Sequence, residues 1–544
     1  MFNQKRIILY LLVLALTIRL ISLFTFDFID SGGGSDTVTY LLLARNLFTG
    51  KGFTEFGLPH TVHHPFYPVL IGIFWKLSGD LLFAGKLIAV LSGAFLVIPV
   101  CWLGAYLFDA RTAVFSGLLT AVFPVLVYGS TEPFCESLYT FLLISSMALL
   151  WVGLKNKKLP WLFPAGILLG MAFLTHPMGL SFVPLFIFFL FLVQFSFLKT
   201  NWRRFVLRVI VLIAGFVITC FPFWLRIHAL TGKWQLSGSS HFQDLTLRLD
   251  QVEGMEEGEV IFRHMESLFQ PSEPGEAREG MGMGELARSH PGLMVKIARF
   301  NLGDGFRELL KTARFLGLPP WLLIFFLAGG IVFIAAMVAV SFIRKSDRLS
   351  LVFLALMFLP MLTFVIVIIE HRYFYPFLPL ALIVFSRFLS RGMFASEGKP
   401  GWRGLFNFGV WVLFLALTAG SVFVVYRKAA KISIPYEYKM MGEWMEEEIG
   451  SIEDEKVMMF RLGVSYYAGC RWNVFYWGNY PGLIAYLKER EIEYLLIDDY
   501  KLHMIHPDLR FLLPADPPPD EFELIKEFGF DGRKIRLLRF QGEE

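Results

Sequence analysis

The sequence predicts a polytopic α-helical membrane protein that ends in a soluble α/β domain. Three observations carry this. Hydrophobic residues make up 55% of the 544-residue chain against 18% charged, with 58 phenylalanines and a mean hydropathy of +0.57, above the range of a soluble globular protein. Apolar runs near the roughly 20 residues that cross a bilayer recur along residues 1–430. Beyond residue 431 charge returns, mixed with shorter helical and strand patterns.

The apolar runs fall at about 7–25, 81–107, 112–129, 135–154, 160–175, 178–198, 205–226, 320–343, 350–369, 373–391 and 405–426, which makes about 11 transmembrane helices. The first, "IILYLLVLALTIRLISLF", has the hydropathy of a signal peptide but no small-residue cleavage site, and it is long enough to span. It reads as a retained helix. Lys5 and Arg6 precede it, and every second short loop after it is basic. These loops carry Arg111, then Lys155, Lys157 and Lys158, then Lys199, Arg203, Arg204 and Arg208. Arg344, Lys345 and Arg348 follow, and then Arg387, Arg391, Lys399 and Arg403. The loops "GSTEPF" and "THP" between them have no basic residue. The positive-inside rule therefore puts the N-terminus in the cytoplasm and the loops 26–80 and 227–318, with the C-terminal domain, outside a plasma membrane. Counting the apolar "PFYPVLIGIFWKLSG" (65–79) as a span would reverse every later basic loop, so it reads as an interfacial helix.

In the C-terminal domain, 431–544, "YKMMGEWMEEEI" has helical spacing and "KVMMFRL" reads as a buried strand. "LIAYLKEREIEYLLIDD" is helix, turn and strand, and "FELIKEFGFDGRKIRLLRF" is a hairpin turning at "DG". No fixed-period repeat occurs. The net charge of +4 is spread over short loops, which argues against a nucleic-acid partner. Cys101, Cys135, Cys220 and Cys470 have no zinc or disulfide spacing.

Charge is scarce at the centre of the spans, which argues against an ion-coupled transporter or a lipid-sugar flippase. The polar residues gather instead in the first outer loop and near the outer ends of helices: Asp36, His63, His64, Glu132, Glu136, His176, Arg226, Glu370, His371, Arg372 and Tyr373. Each has a structural reading beside a functional one. Asp36, after Gly32-Gly33-Gly34-Ser35, caps the next helix or serves as a functional carboxylate, with Tyr40 one turn on along the same face. Glu132 before Pro133 reads as the helix-start acid, which leaves Glu136, a turn deeper, without a capping role. His176 satisfies the backbone at the turn before Pro177 or serves a ligand. Arg226 and Arg372 break the charge rule on the outer side, and an Arg there suits a phosphate or a lipid head group.

Taken in order, these segments resemble the GT-C superfamily of lipid-phosphate-sugar-dependent glycosyltransferases, nearest the protein O-mannosyltransferase and lipid A aminoarabinose transferase group. The likeness runs over nearly all of residues 1–430. It is carried by "SDTVTYLLLARNLFTGKGF", "HHPFYP", "CESLYTFLL", "LLGMAFLTHPMGL", "FPFWLRIHALTGKW" and "HRYFYPFLPLALIV". The family's second acid matches Glu136 better than Glu132. Two positions depart from the pattern: His63 and His64 stand where a Lys often precedes paired prolines, and His176 stands where Arg is usual. The resemblance implies a polyprenyl-phosphate sugar donor, an acceptor hydroxyl on protein, lipid or glycan, inversion at the anomeric carbon, and no metal or other cofactor. It implies Asp36 as general base with Glu136 as a second acid. Arg372, His371, Tyr373, Arg226, His176 and His64 would hold the donor phosphate, and Tyr40, Glu132 and His63 the acceptor or sugar. A polyprenyl-linked polysaccharide polymerase or ligase is one competing expectation, and a lipid-sugar flippase is the other. The polar loop 240–300 reads as a lid or acceptor-binding segment.

Overall fold

The computed structural model describes residues 2–25, 34–55, 57–156, 158–194, 202–236, 347–361, 371–394, 414–423, 436–449, 456–460, 462–499, 507–514, 517–530 and 533–542, with isolated helical positions at 292–307 and at 412. The expected span 320–343, most of the 240–300 loop, Glu370, the His371 side chain and the "DG" turn lie outside the described residues. By contact the chain divides into two units: residues 1–26, 61–239 and 298–431, and residues 27–60, 240–297 and 432–544.

The first unit is a helix bundle. It contains α1 (Phe2–Thr25), α3 (Phe66–Ser78), α4 (Leu81–Phe95), α5 (Val97–Leu107), α6 (Ala110–Val122), α7 (Pro124–Tyr128) and α8 (Glu136–Lys155). There follow α9 (Leu162–Phe173), α10 (Phe182–Leu192), α11 (Trp202–Thr231), α12 (Arg348–Phe358) and α13 (Leu378–Phe394). Among the described residues, Leu81–Leu107, Glu136–Lys155, Trp202–Thr231 and Arg372–Arg391 are long and apolar enough to cross a membrane. The interfacial segment 65–79 forms α3, which packs on α4.

Two expected spans are interrupted near prolines, one by a kink and one by a break. Pro99 has no N–H for the carbonyl of Phe95, and the 81–107 helix kinks at Leu96, which keeps helical φ and ψ. Phe123 is forced extended before Pro124, so 112–129 becomes α6 and α7. Pro124 also leaves the Thr120 carbonyl without its helical donor. Arg19 of α1, fully buried, supplies the replacement, donating to the carbonyls of Thr120 at 3.2 Å and Ala121 at 2.9 Å and to Ser130 Oγ at 3.3 Å. Helices α9 and α11 meet backbone to backbone. A Cβ on Gly166 would stand 2.0 Å from the Leu212 carbonyl oxygen, and one on Gly215 would stand 2.3 Å from that of Phe163. The Gly166–Gly170 spacing is the small-residue pattern of packed membrane helices.

The second unit contains α2 (Gly34–Phe48), the short pair β1 (Thr54–Glu55) and β2 (Leu58–Pro59), and α14 (Tyr436–Glu448). The rest is β3 (Lys456–Met459), α15 (Leu462–Ala468), β4 (Arg471–Val474), α16 (Tyr480–Arg490), β5 (Tyr494–Asp498), β6 (Phe522–Phe530) and β7 (Arg533–Phe540). The five-stranded sheet runs β4-β3-β5-β7-β6. Strand β3 pairs parallel with β4 and β5, and β7 pairs antiparallel with β5 and β6. Met458, Leu483, Leu487, Leu495, Ile497 and Leu538 form its core. This is the expected helix, strand, helix, strand and hairpin order, with α15 and β4 added. Sequence reading put α2 with the membrane part, in the first outer loop. By contact it groups with the C-terminal residues, because its apolar side chains (Val38, Leu41, Leu42, Leu43) are buried and the helix packs on α15.

Candidate active site

In the bundle, the candidate residues converge on the start of α8. Helix α8 begins at Glu136, and its cap, Cys135, makes no side-chain cap bond. The first-turn acid is therefore Glu136, against the sequence expectation of Glu132. Pro133 sits in a bent segment between α7 and α8, and Glu132 lies four residues before the helix, buried. Glu136 thus faces the positive end of the α8 dipole.

That carboxylate is paired. Arg372, on the 3-10 helix His371–Phe377, brings Nε to 3.4 Å from Glu136 Oε1, and both side chains are almost fully buried. The guanidinium lies 4.9 Å from the centre of the Phe134 ring. Tyr373, the next residue, meets the His176 ring edge-on at 5.7 Å, and His176 lies 5.1 Å from the Tyr139 ring, one turn along α8 from Glu136. The segment ahead of α8 is locked from two sides. Ser137 Oγ donates to the Gly129 carbonyl at 2.9 Å, and a Cβ on Gly129 would fall 2.1 Å from the Tyr375 ring. Four of the expected residues (Glu136, Arg372, Tyr373 and His176) are brought together here.

Two histidines come out chemically distinct. His176 caps the 3-10 turn Pro177–Ser181, its Nδ1 accepting from the Met178 N–H at 3.2 Å, which is the backbone role foreseen for it. Accepting at Nδ1 places the proton of the neutral ring on Nε2, a donor toward an anion without any charge on the ring. His64 is buried and donates from Nδ1 to the Phe173 carbonyl, with its ring against Phe173 and Phe223. Its Nε2 is then an acceptor when neutral and a donor only in the imidazolium form. His63 is half-buried on the approach to α3, and Arg226 is half-buried late in α11, past Pro222. Tyr139 was not singled out from the sequence. Its position three residues after Glu136, on the same helical face, was the available signal. Its buried hydroxyl has no hydrogen-bond partner among the described residues.

In the second unit, α2 begins at Gly34, so Asp36 is the third helical residue and not the cap. It stands in the first turn, half-buried, where the helix dipole still favours the carboxylate. Tyr40, one turn on, is buried.

Residues 62–224 match the family described as dolichyl-phosphate-mannose-protein mannosyltransferase. No curated protein matches the chain. Among solved structures, the chain is similar to the apo oligosaccharyltransferase of Archaeoglobus fulgidus at TM-score 0.62 and 15% identity, over 92% of this chain and 70% of that one. It is similar to Archaeoglobus fulgidus AglB in complex with an inhibitory peptide and a dolichol-phosphate at TM-score 0.60 and 14% identity, over 100% and 74%. It is similar to ArnT from Cupriavidus metallidurans bound to undecaprenyl phosphate at TM-score 0.56 and 12% identity, over 97% of each chain. At these identities the likeness is one of fold, and the fold is that of the GT-C glycosyltransferases. Within it, residues 62–224, which include Glu136 and His176, carry the mannosyltransferase family's sequence pattern.

Proposed function

We propose that the chain transfers a sugar from a polyprenyl-phosphate donor to an acceptor hydroxyl at the outer face of the plasma membrane, inverting the anomeric carbon. The N-terminus lies inside in this reading. The observation that carries it is the buried Glu136–Arg372 pair at the start of α8, ringed by Tyr139, His176 and Tyr373. Solved neighbours of the same fold hold dolichol-phosphate and undecaprenyl phosphate, which supports a donor of that class.

The acceptor oxygen attacks the anomeric carbon in line while Asp36 takes its proton, a contribution of about 10²–10⁴-fold. The bond from that carbon to the phosphate oxygen breaks, and the electron pair leaves on the lipid phosphate. Arg372 neutralises the growing charge, helped by Tyr373, by Nε2–H of His176, and by His371, Arg226 and protonated His64. The start of α8 together with Arg372 forms a place for one anion, and Glu136 fills it in the structure. Donor phosphate competes with Glu136 for Arg372, and the released carboxylate turns to orient the acceptor with Tyr40, Glu132 and His63. The charge balance is met by Arg, so the reaction does not call for a metal.

The test is transfer from polyprenyl-phosphate sugars in reconstituted liposomes, read as release of lipid phosphate. Wild type is expected to release it, EDTA to leave the rate unchanged, and Asp36→Asn to abolish turnover while remaining folded. Full turnover by Asp36→Asn would remove Asp36 from the chemistry. Silence of wild type across carriers and acceptors would favour a transport role.

A further inference from the structure

A second buried ionisable cluster lies behind the helix that carries Asp36, and sequence reading did not single out any member of it. Glu55 ends β1 with only 5% of its surface exposed. Its Oε1 accepts from Thr39 Oγ1 at 2.6 Å, and its Oε2 lies 2.9 Å from His60 Nδ1. His60 is itself almost buried, edge-on to Phe53, and its N–H donates to the Phe53 carbonyl at 3.1 Å. Two turns further along α2, Asn46 Nδ2 donates to the Thr54 carbonyl at 2.8 Å. The hairpin therefore grips α2 at two heights. The grip is tightly built: Gly50, Gly52 and Gly57 all have positive φ, at 87°, 79° and 81°, where a side chain would be strained.

At 3.6 residues per turn, Thr39 and Asn46 lie on the flank of α2 next to Asp36, and Tyr40 lies on the other side of it. Gly34, which opens α2, has no side chain with which to hold that turn. A carboxylate this buried is costly unless it is paired and hydrogen-bonded, and a hairpin of two-residue strands gains little from enclosing one. An apolar residue at position 55 would cover the same surface without that cost. The charge brings a directional hold on Thr39, one turn past Asp36.

We infer that Glu55 is a positioning residue for Asp36: with His60 fixing its far oxygen, it sets the rotation and height of the first turns of α2 through Thr39. The inference rests on the reading of Asp36 as general base. Misplacing a reacting group by about 1 Å costs on the order of 10²-fold, so a weakened grip acts on turnover and leaves binding of the lipid-phosphate donor alone.

The experiment measures kcat, KM and the pH dependence of kcat in liposomes for Glu55→Ala, Glu55→Gln, Thr39→Val and Asp36→Asn, each checked for folded yield. Glu55→Ala and Thr39→Val are expected to lower kcat about 10- to 100-fold with the donor KM unchanged and the acid limb of the kcat profile displaced. Glu55→Gln, which keeps an acceptor for Thr39, is expected to recover most of the rate. The pair Glu55→Ala with Asp36→Asn should be no slower than Asp36→Asn alone. If Asp36→Asn is inactive while Glu55→Ala and Thr39→Val match wild type, the inference fails and the base reading stands. A loss of rate proportional to lost folded protein, with an unmoved pH profile, also overturns it, and Thr39→Val decides the matter if Glu55→Ala does not fold. Full turnover by Asp36→Asn overturns the base reading itself.

Discussion

Among the described residues, the bundle holds two groups of opposite charges that differ in burial and in the elements they join. One is a clasp. Arg387 of α13 bridges Asp109, ahead of α6, and Asp347, ahead of α12, the latter at 3.1 Å, and Arg391 adds a second bond to Asp347 at 2.5 Å. Thr112 donates to Asp109 from both its N–H at 2.8 Å and its hydroxyl at 2.9 Å. The other is the Glu136–Arg372 pair, which meets at 3.4 Å among aromatic rings at a helix N-terminus. Networks that saturate their charges tie elements together. A buried pair at 3.4 Å, beside a helix end that favours any anion, suits exchange of one anion for another.

Breaking one cation in each group separates the two roles most widely. Arg372→Ala is expected to lower turnover by roughly 10²–10³-fold, the cost of losing charge stabilisation at a leaving group, with thermal unfolding in detergent little changed. Arg387→Ala reverses the pattern: stability falls by on the order of 1 kcal/mol because Asp109 loses its ion pair and Asp347 keeps only Arg391, while KM in the surviving fraction holds. Equal losses of both kinds in both variants would erase the distinction.

Tyr139 sharpens the comparison on the site's side. A buried hydroxyl without a partner costs about 1–3 kcal/mol, so Tyr139→Phe is expected to leave stability equal or raised while KM for the donor rises several-fold. A stability loss with unchanged kinetics would make Tyr139 a packing residue.

The smallest effect is in the clasp's acid response. Burial raises the Asp109 pKa, but the two Thr112 bonds and Arg387 outweigh it and hold the carboxyl below its ordinary value. Its contribution is therefore complete above an ordinary Asp pKa of about 3.9 and is lost as pH falls toward the folded value. Asp109 is partly exposed, so the effect is at most about 1 kcal/mol. Acid unfolding of wild type and Asp109→Asn should converge below about pH 4; a constant gap between them would contradict the assignment.

Hydropathy made the helix bundle legible, because the length of an apolar run is a property of each segment alone, and among the described residues four of the expected spans are helices long enough to cross. It missed the kink at Leu96 and the break at Phe123, although Pro99 and Pro124 were in plain view, since membrane helices also tolerate proline where another group takes the freed carbonyl. Arg19 is that group at Thr120, and only the folded chain shows it. The site residues were legible as types and the pairing was not. Glu136 and Arg372 are 236 positions apart, and neither periodicity nor charge counting links them. Helix starts were misjudged by a few residues at both acids. Asp36 reads as a cap until α2 begins at Gly34, and Glu132 reads as the dipole's acid until α8 begins at Glu136. Glu55 and His60 left no signal, because "TEFGLPH" reads as a polar turn and its burial comes from α2 folding over it.

The most direct measurement is equilibrium binding of undecaprenyl phosphate to wild type, Glu136→Gln and Arg372→Ala in nanodiscs. An exchangeable anion site predicts tighter binding by Glu136→Gln, which removes the competing carboxylate, together with slower turnover, and greatly weakened binding by Arg372→Ala. Binding by Arg372→Ala equal to wild type, or weaker binding by Glu136→Gln, would contradict the account.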